Sequence, residues 1–169
     1  MHRLYEQFHP KHYIIHWDLT GAAKRTVSGA VHIAGEQLAE RTITLHSKEL
    51  AITSLTVNGT EASYTTGEND ELIIEHAGTG KVEIHIDFTL ALTDAMHGIY
   101  PCYFEHDGQK KELYATQFES HHAREVFPCI DEPEAKATYD VTLTTEPGVV
   151  VLGNQPIKSQ STKDGSLVT

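Results

Sequence analysis

The chain has 169 residues, of which 39% are hydrophobic and 22% charged, and its formal net charge is −11. That length carries one domain with a real core and not two comfortable ones. The composition is that of a soluble globular protein, and the acidic balance argues against nucleic acid and anionic membrane as partners.

No apolar run approaches a membrane span, and the start, MHRLYEQFHPKHY, has no signal-peptide apolar region, so a cytoplasmic location is the default expectation. Two cysteines, Cys102 and Cys129, are too few for a disulfide framework and have no neighbour at metal-ligand spacing. They are expected to be reduced, partly buried and structural.

From Tyr13 onward the pattern is β. Tyr13, Ile15, Trp17 and Leu19 share one face of a first strand, and Val27, Gly29, Val31 and Ile33 repeat the period of two. Ile43 to His46 and Leu50 to Val57 follow, closed by Asn58-Gly59, two residues that tolerate positive φ and mark a tight turn. Asn58-Gly59-Thr60 is also a glycosylation sequon, but without a secretion signal the turn reading prevails.

Thr65 to Asp70 reads as a polar loop, and Leu72 to Ile74 as a short strand. The clearest strand runs from Val82 to Leu92, where Val82, Ile84, Ile86, Phe88, Leu90 and Leu92 alternate with polar residues and must face a core. Asp107-Gly108 marks another turn. The spacing predicts an all-β domain: an antiparallel sandwich, or saddle-like stacked sheets, with at most one short helical turn.

The stretch from Tyr114 to Leu143 is built differently. It opens extended at Tyr114 to Phe118 and crosses a polar segment from Glu119 to Glu125. Pro128 then breaks regular pairing, because proline donates no N–H and biases the residue before it towards extended geometry. Asp131-Glu132-Pro133-Glu134 reads as a short helix start, with a carboxylate cap and proline in the first turn. Thr138 to Leu143 returns to strand, so the sequence describes a loop held between two strands. At the end of the chain, Gly165 to Thr169 reads as the beginning of another strand with an unpaired edge.

Candidate chemistry is sparse. A helical His-Glu-x-x-His zinc motif is absent. His122 and Glu125 are three apart, but no third ligand follows them, so His121 and His122 read as solvated loop histidines and the chain is expected to bind no metal. His12 and His16 fall on or beside a strand, and His85 on a polar strand face, and none of them needs a function. Asp131 and Glu132 read as caps, and Arg124 as the partner of a carboxylate that fixes the loop. Read by itself, Glu119 is a solvated acid at a strand end.

Several blocks carry a resemblance. Thr116-Gln117-Phe118-Glu119, Ala123-Arg124, Phe127-Pro128-Cys129, Asp131-Glu132-Pro133 and Lys136-Ala137 together resemble the signature of the aminopeptidase N family, zinc enzymes that remove single residues from peptide N-termini. Leu45-His46 through Asn58-Gly59, His97-Gly98-Ile99-Tyr100 and Val151 to Pro156 extend the likeness over nearly the whole chain. The last block is similar to a later strand and turn of the family, while Pro101-Cys102 departs from its usual Arg-Ser pair.

The resemblance implies that residues 1–169 form a single N-terminal β domain of a longer aminopeptidase, with the last strands and the zinc catalytic domain lying beyond it. It implies no catalytic residue in this chain and zinc only in the parent enzyme. The partners would be peptides with a free N-terminus and the catalytic domain of the same polypeptide. It also implies substrate-binding roles for two residues. Glu119 would bind the substrate's α-ammonium, and Gln117 would line the pocket for the first side chain. Residues two apart share a strand face, so both can point the same way while Phe118 packs inward. The alternatives are a non-catalytic scaffold relative and a free-standing β-sandwich binding module.

Overall fold

The computed structural model describes residues 3–169, and the fold is all-β. The alternation around Val82 folds as β8 (Gly80–Ala91), with Val82, Ile84, Ile86, Phe88 and Leu90 buried and Lys81, Glu83 and His85 turned outward. It pairs with β2 (Thr26–Gln37) on one side and β4 (Ala51–Val57) on the other. β4 returns to β5 (Thr60–Glu61) through Asn58 and Gly59 at φ +52° and +76°, the backbone the dipeptide announces.

β1 (Phe8–Asp18) lies on the far side of β2, and its register slips between Pro10 and His12, where the proline interrupts the ladder. Gly29 and Gly35 in β2 are positions of close approach. A Cβ at either would overlap the ring of Phe88 or Phe8, respectively.

Beyond β1 the sheet continues through β11 (Thr138–Thr145), β13 (Ser166–Val168) and β12 (Ser161–Lys163), making eight strands in all. Three sequence expectations change here. β11 runs parallel to β1, from His12 opposite Thr138 to Asp18 opposite Thr144, because the chain reaches it by a crossover and not a hairpin. Leu167 and Val168 are not at an open edge either, since β13 pairs with β11 on one side and β12 on the other. Val151 to Pro156 forms no strand, and Leu152 is 89% exposed.

A second layer holds β3 (Thr42–His46), β7 (Glu71–Glu75) and β6 (Tyr64–Thr66), contributing Ile43, Leu45, Leu72 and Ile74 to the same core as the large sheet. β9 (Gly98–His106) and β10 (Gln109–Gln117) form a separate hairpin that turns at Asp107-Gly108.

Single 3₁₀ turns occur at Leu4–Glu6, Ala22–Lys24 and Ala123–Glu125. The helix start anticipated at Asp131 contracts to one turn, closed by the Ala135 N–H on the Glu132 carbonyl at 3.0 Å. Both carboxylates expected to cap it are engaged elsewhere. Among the described residues no helix is long and apolar enough to cross a membrane.

Candidate functional site

The crossover from β10 to β11, residues 118–137, threads between the two layers. Val126, Phe127, Cys129 and Ile130 are buried, and Phe127 meets Tyr13, Trp17 and Phe118 edge-on at 5.9–6.3 Å between ring centroids. An irregular backbone inside a core must still satisfy its polar groups. Trp17 Nε1 donates to the Val126 carbonyl at 3.1 Å, and the Ile130 N–H donates to the Tyr13 hydroxyl at 3.2 Å. On the other side His46 and Cys129 exchange backbone bonds of 2.7 and 3.0 Å, tying the segment to β3.

The Asp131 N–H donates to His46 Nδ1 at 3.1 Å. Burial, followed by the charge of Arg124, lowers the pKa of His46, consistent with a neutral imidazole whose Nδ1 accepts. Burial also raises the Cys129 thiol well above its usual value, and both cysteines are free, as a structural role requires.

Arg124 braces the segment as expected from the sequence. Its Nε donates to Asp131 Oδ2 at 3.0 Å, its backbone N–H reaches the same oxygen at 3.3 Å, and Nη1 lies 3.6 Å from Asp70. The Arg124 and Asp131 side chains are each only 12% exposed. Glu132 acts at a distance that sequence spacing does not reveal. Its carboxylate accepts from the Leu4 N–H at 2.7 Å and the Tyr5 N–H at 3.2 Å, capping the first 3₁₀ turn. Arg3 pairs with Glu134 beside it.

A second polar cluster lies at the start of the segment. Glu125, 13% exposed, accepts from Lys48 Nζ at 3.0 Å, and its carboxylate is 2.5 Å from His97 Nδ1 and 3.1 Å from His122 Nδ1. Burial pushes the Glu125 pKa up, but hydrogen bonds from His122, Lys48 and His97 together outweigh it and leave the carboxyl below its usual range. The same contact with Glu125 raises Lys48.

His122 is therefore not a solvated loop histidine: its ring stacks on His97 with centroids 4.1 Å apart. His97 is the residue that sequence reasoning missed. The β9–β10 ladder pairs Gly98 with Gln117, which sets His97 beside the turn that follows Gln117. No local signal in the sequence records that register.

Gln117 ends β10, and Gln117 and Glu119 are both exposed while Phe118 between them is half-buried against Phe127. The Glu119 N–H donates to Gln117 Oε1 at 3.2 Å, and the His122 N–H closes the turn on the Phe118 carbonyl at 2.9 Å. Among the described residues the Glu119 carboxylate has neither an ion pair nor a hydrogen-bond partner. The two residues are thus presented together at the edge of a braced segment. An open depression bordered by Ser120, Asp131, Lys136 and Tyr139 lies nearby, and neither Gln117 nor Glu119 lines it.

A sandwich crossed by a braced segment, with a Gln-x-Glu pair at its entrance, is the architecture anticipated for the N-terminal domain of an aminopeptidase. Residues 9–169 match the peptidase M1 N-terminal domain family, and the chain belongs to it. It is 48% identical over 157 residues to aminopeptidase N of Lactobacillus delbrueckii subsp. lactis, covering 91% of this chain and 18% of that protein. It is 40% identical over 166 residues to aminopeptidase N of Lactobacillus helveticus, covering 96% and 19%. Aminopeptidase M1 of Arabidopsis thaliana is 34% identical over 149 residues, covering 80% and 17%. The chain thus spans just under a fifth of the length of these relatives.

Proposed function

We propose that these 169 residues serve as the N-terminal β domain of a cytoplasmic zinc aminopeptidase, in which Glu119 binds the α-ammonium of the substrate and Gln117 lines the pocket for its first side chain. The observation that carries this reading is an exposed carboxylate, without a partner among the described residues, at the end of a heavily braced segment. A solvated surface acid needs no such support. A recognition acid does, because its geometry must hold before the ligand arrives.

A carboxylate facing an ammonium in a site shielded from water makes charge-assisted hydrogen bonds. The shielding would come from the catalytic domain of the same polypeptide. The sequence has no His-Glu-x-x-His motif, so the family's zinc motif has no counterpart among these residues and no hydrolytic step is assigned to them.

The test is the specificity constant of the parent enzyme on an aminoacyl reporter. Removing one partner of a desolvated charge pair costs roughly 2–5 kcal/mol, so Glu119→Ala should lower kcat/KM by about thirty-fold to a few thousand-fold. Glu119→Gln should fall between Glu119→Ala and wild type. Near-normal kcat/KM in folded Glu119→Ala would refute the assignment.

A further inference from the structure

The His97, His122 and Glu125 cluster has a donor set richer than a structural ion pair requires. Two imidazole nitrogens and a carboxylate oxygen lie within 4.8 Å of one another, on residues that are neither fully buried nor fully exposed. We propose that these three residues form a binding site for a divalent transition-metal ion of the zinc class, held by His97 Nδ1, His122 Nδ1 and Glu125. Two nitrogens and one carboxylate form a ligand set suited to such an ion and leave a position for water.

Metal–ligand bonds of about 2.0–2.2 Å bring donor atoms to roughly 3–3.5 Å from one another, so closure needs only side-chain rotation. Without the ion, each imidazole can donate an Nδ1–H to Glu125. With it, both rings carry their proton on Nε2 and turn their Nδ1 lone pairs to the metal. The side chains of His97 and His122 are 34% and 20% exposed, which leaves a path for entry.

Lys48 is the opposing feature, a cation 3.0 Å from Glu125 Oε1. It competes for one carboxylate oxygen and leaves Oε2 facing His97. An ion here would join the residue before β9 to the middle and the far end of the turn 119–125. It would therefore stiffen the backbone that carries Glu119, whatever Glu119 itself binds.

The experiment uses the purified chain without an affinity tag and needs no peptidase activity, so its outcome is independent of the Glu119 assignment. Zn²⁺ is titrated calorimetrically, and Co²⁺ is titrated by its visible absorption. The site predicts saturation at one ion per chain and a Co²⁺ spectrum of mixed nitrogen and oxygen ligation. Affinity should fall at least about tenfold in His97→Gln and in His122→Gln, and stay unchanged in His85→Gln on the open sheet face. Lys48→Met leaves all three donors in place and should tighten binding, which keeps the proposal testable if a histidine variant misfolds. No stoichiometric binding, equal affinity in wild type and folded His97→Gln, or no tightening in Lys48→Met would overturn it.

Discussion

The β2–β8 ladder and the 118–137 segment lie against the same core yet are held by different forces. Along β2 and β8 the side chains that matter are apolar and interchangeable in kind. Val31, Ile33, Ile84 and Ile86 have almost no exposed surface and make no polar bonds through their side chains, and each contributes roughly 1.5–3 kcal/mol by burial alone. In the segment the buried apolar residues are joined by specific polar pairs: Arg124 with Asp131, Trp17 with the Val126 carbonyl, Tyr13 with the Ile130 N–H, Glu132 with the Leu4 N–H. The first region tolerates exchange of one hydrophobe for another of similar volume. The second tolerates little, because a buried polar group whose partner is lost cannot return to water. That is the cost of fixing a loop in one conformation, and it fits the recognition role proposed for Glu119.

The comparison can be broken at either side. The largest effect should come from the ladder: Phe88→Ala empties a site that is 1% exposed and should cost about 3–5 kcal/mol in urea unfolding. A cost below about 1 kcal/mol would mean that the sheet collapses around the gap. In the segment, Arg124→Ala leaves the Asp131 carboxylate without its main donor. It should cost about 2–4 kcal/mol, somewhat under the value for a fully buried pair because both side chains keep 12% exposure. Arg124→Lys should recover only part, since a single ammonium cannot reach the same set of acceptors. A loss within about 0.5 kcal/mol for Arg124→Ala would place it with ordinary surface residues and remove the contrast.

The smallest expected effect is pH-dependent. The His46 pKa is lowered by burial and then by Arg124, so below the ordinary histidine pKa the unfolded chain takes up a proton that the folded chain refuses. His46 thus contributes stability that is full above the unfolded pKa of about 6.5 and declines as pH falls through it. His46→Asn offers an acceptor to the Asp131 N–H and cannot titrate. The variant should therefore lose less stability than wild type between pH 7.5 and 5.5. Equal losses would show that other groups account for the acid sensitivity.

Much of the sandwich was legible because its information is local. Period two between Val82 and Leu92 is enough to give β8, and Asn58-Gly59 is enough to turn β4 into β5. The braced segment was legible in outline, with Arg124 anticipated as a brace and Phe118 as an inward anchor. What sequence pattern could not supply was pairing across long separations. The parallel register of β11 on β1, the reach of Glu132 to Leu4 and the arrival of His97 beside His122 all depend on the crossover path. By sequence alone Asp131 and Glu132 read as a local cap, because carboxylates before a proline favour that role. Arg124 and the Leu4 turn claimed them instead.

The central claim is that the segment holds Glu119 ready for a positive charge. Its most direct test is a pair of reversible inhibitors of the parent enzyme, an amino-acid amide and the same amide lacking the α-amine. In wild type the amine-bearing compound should bind at least about thirty-fold more tightly, the lower end of the free energy expected for a desolvated charge pair. In Glu119→Ala, with urea stability unchanged, the ratio of the two inhibition constants should fall towards one. A ratio unaltered by the substitution would contradict the account.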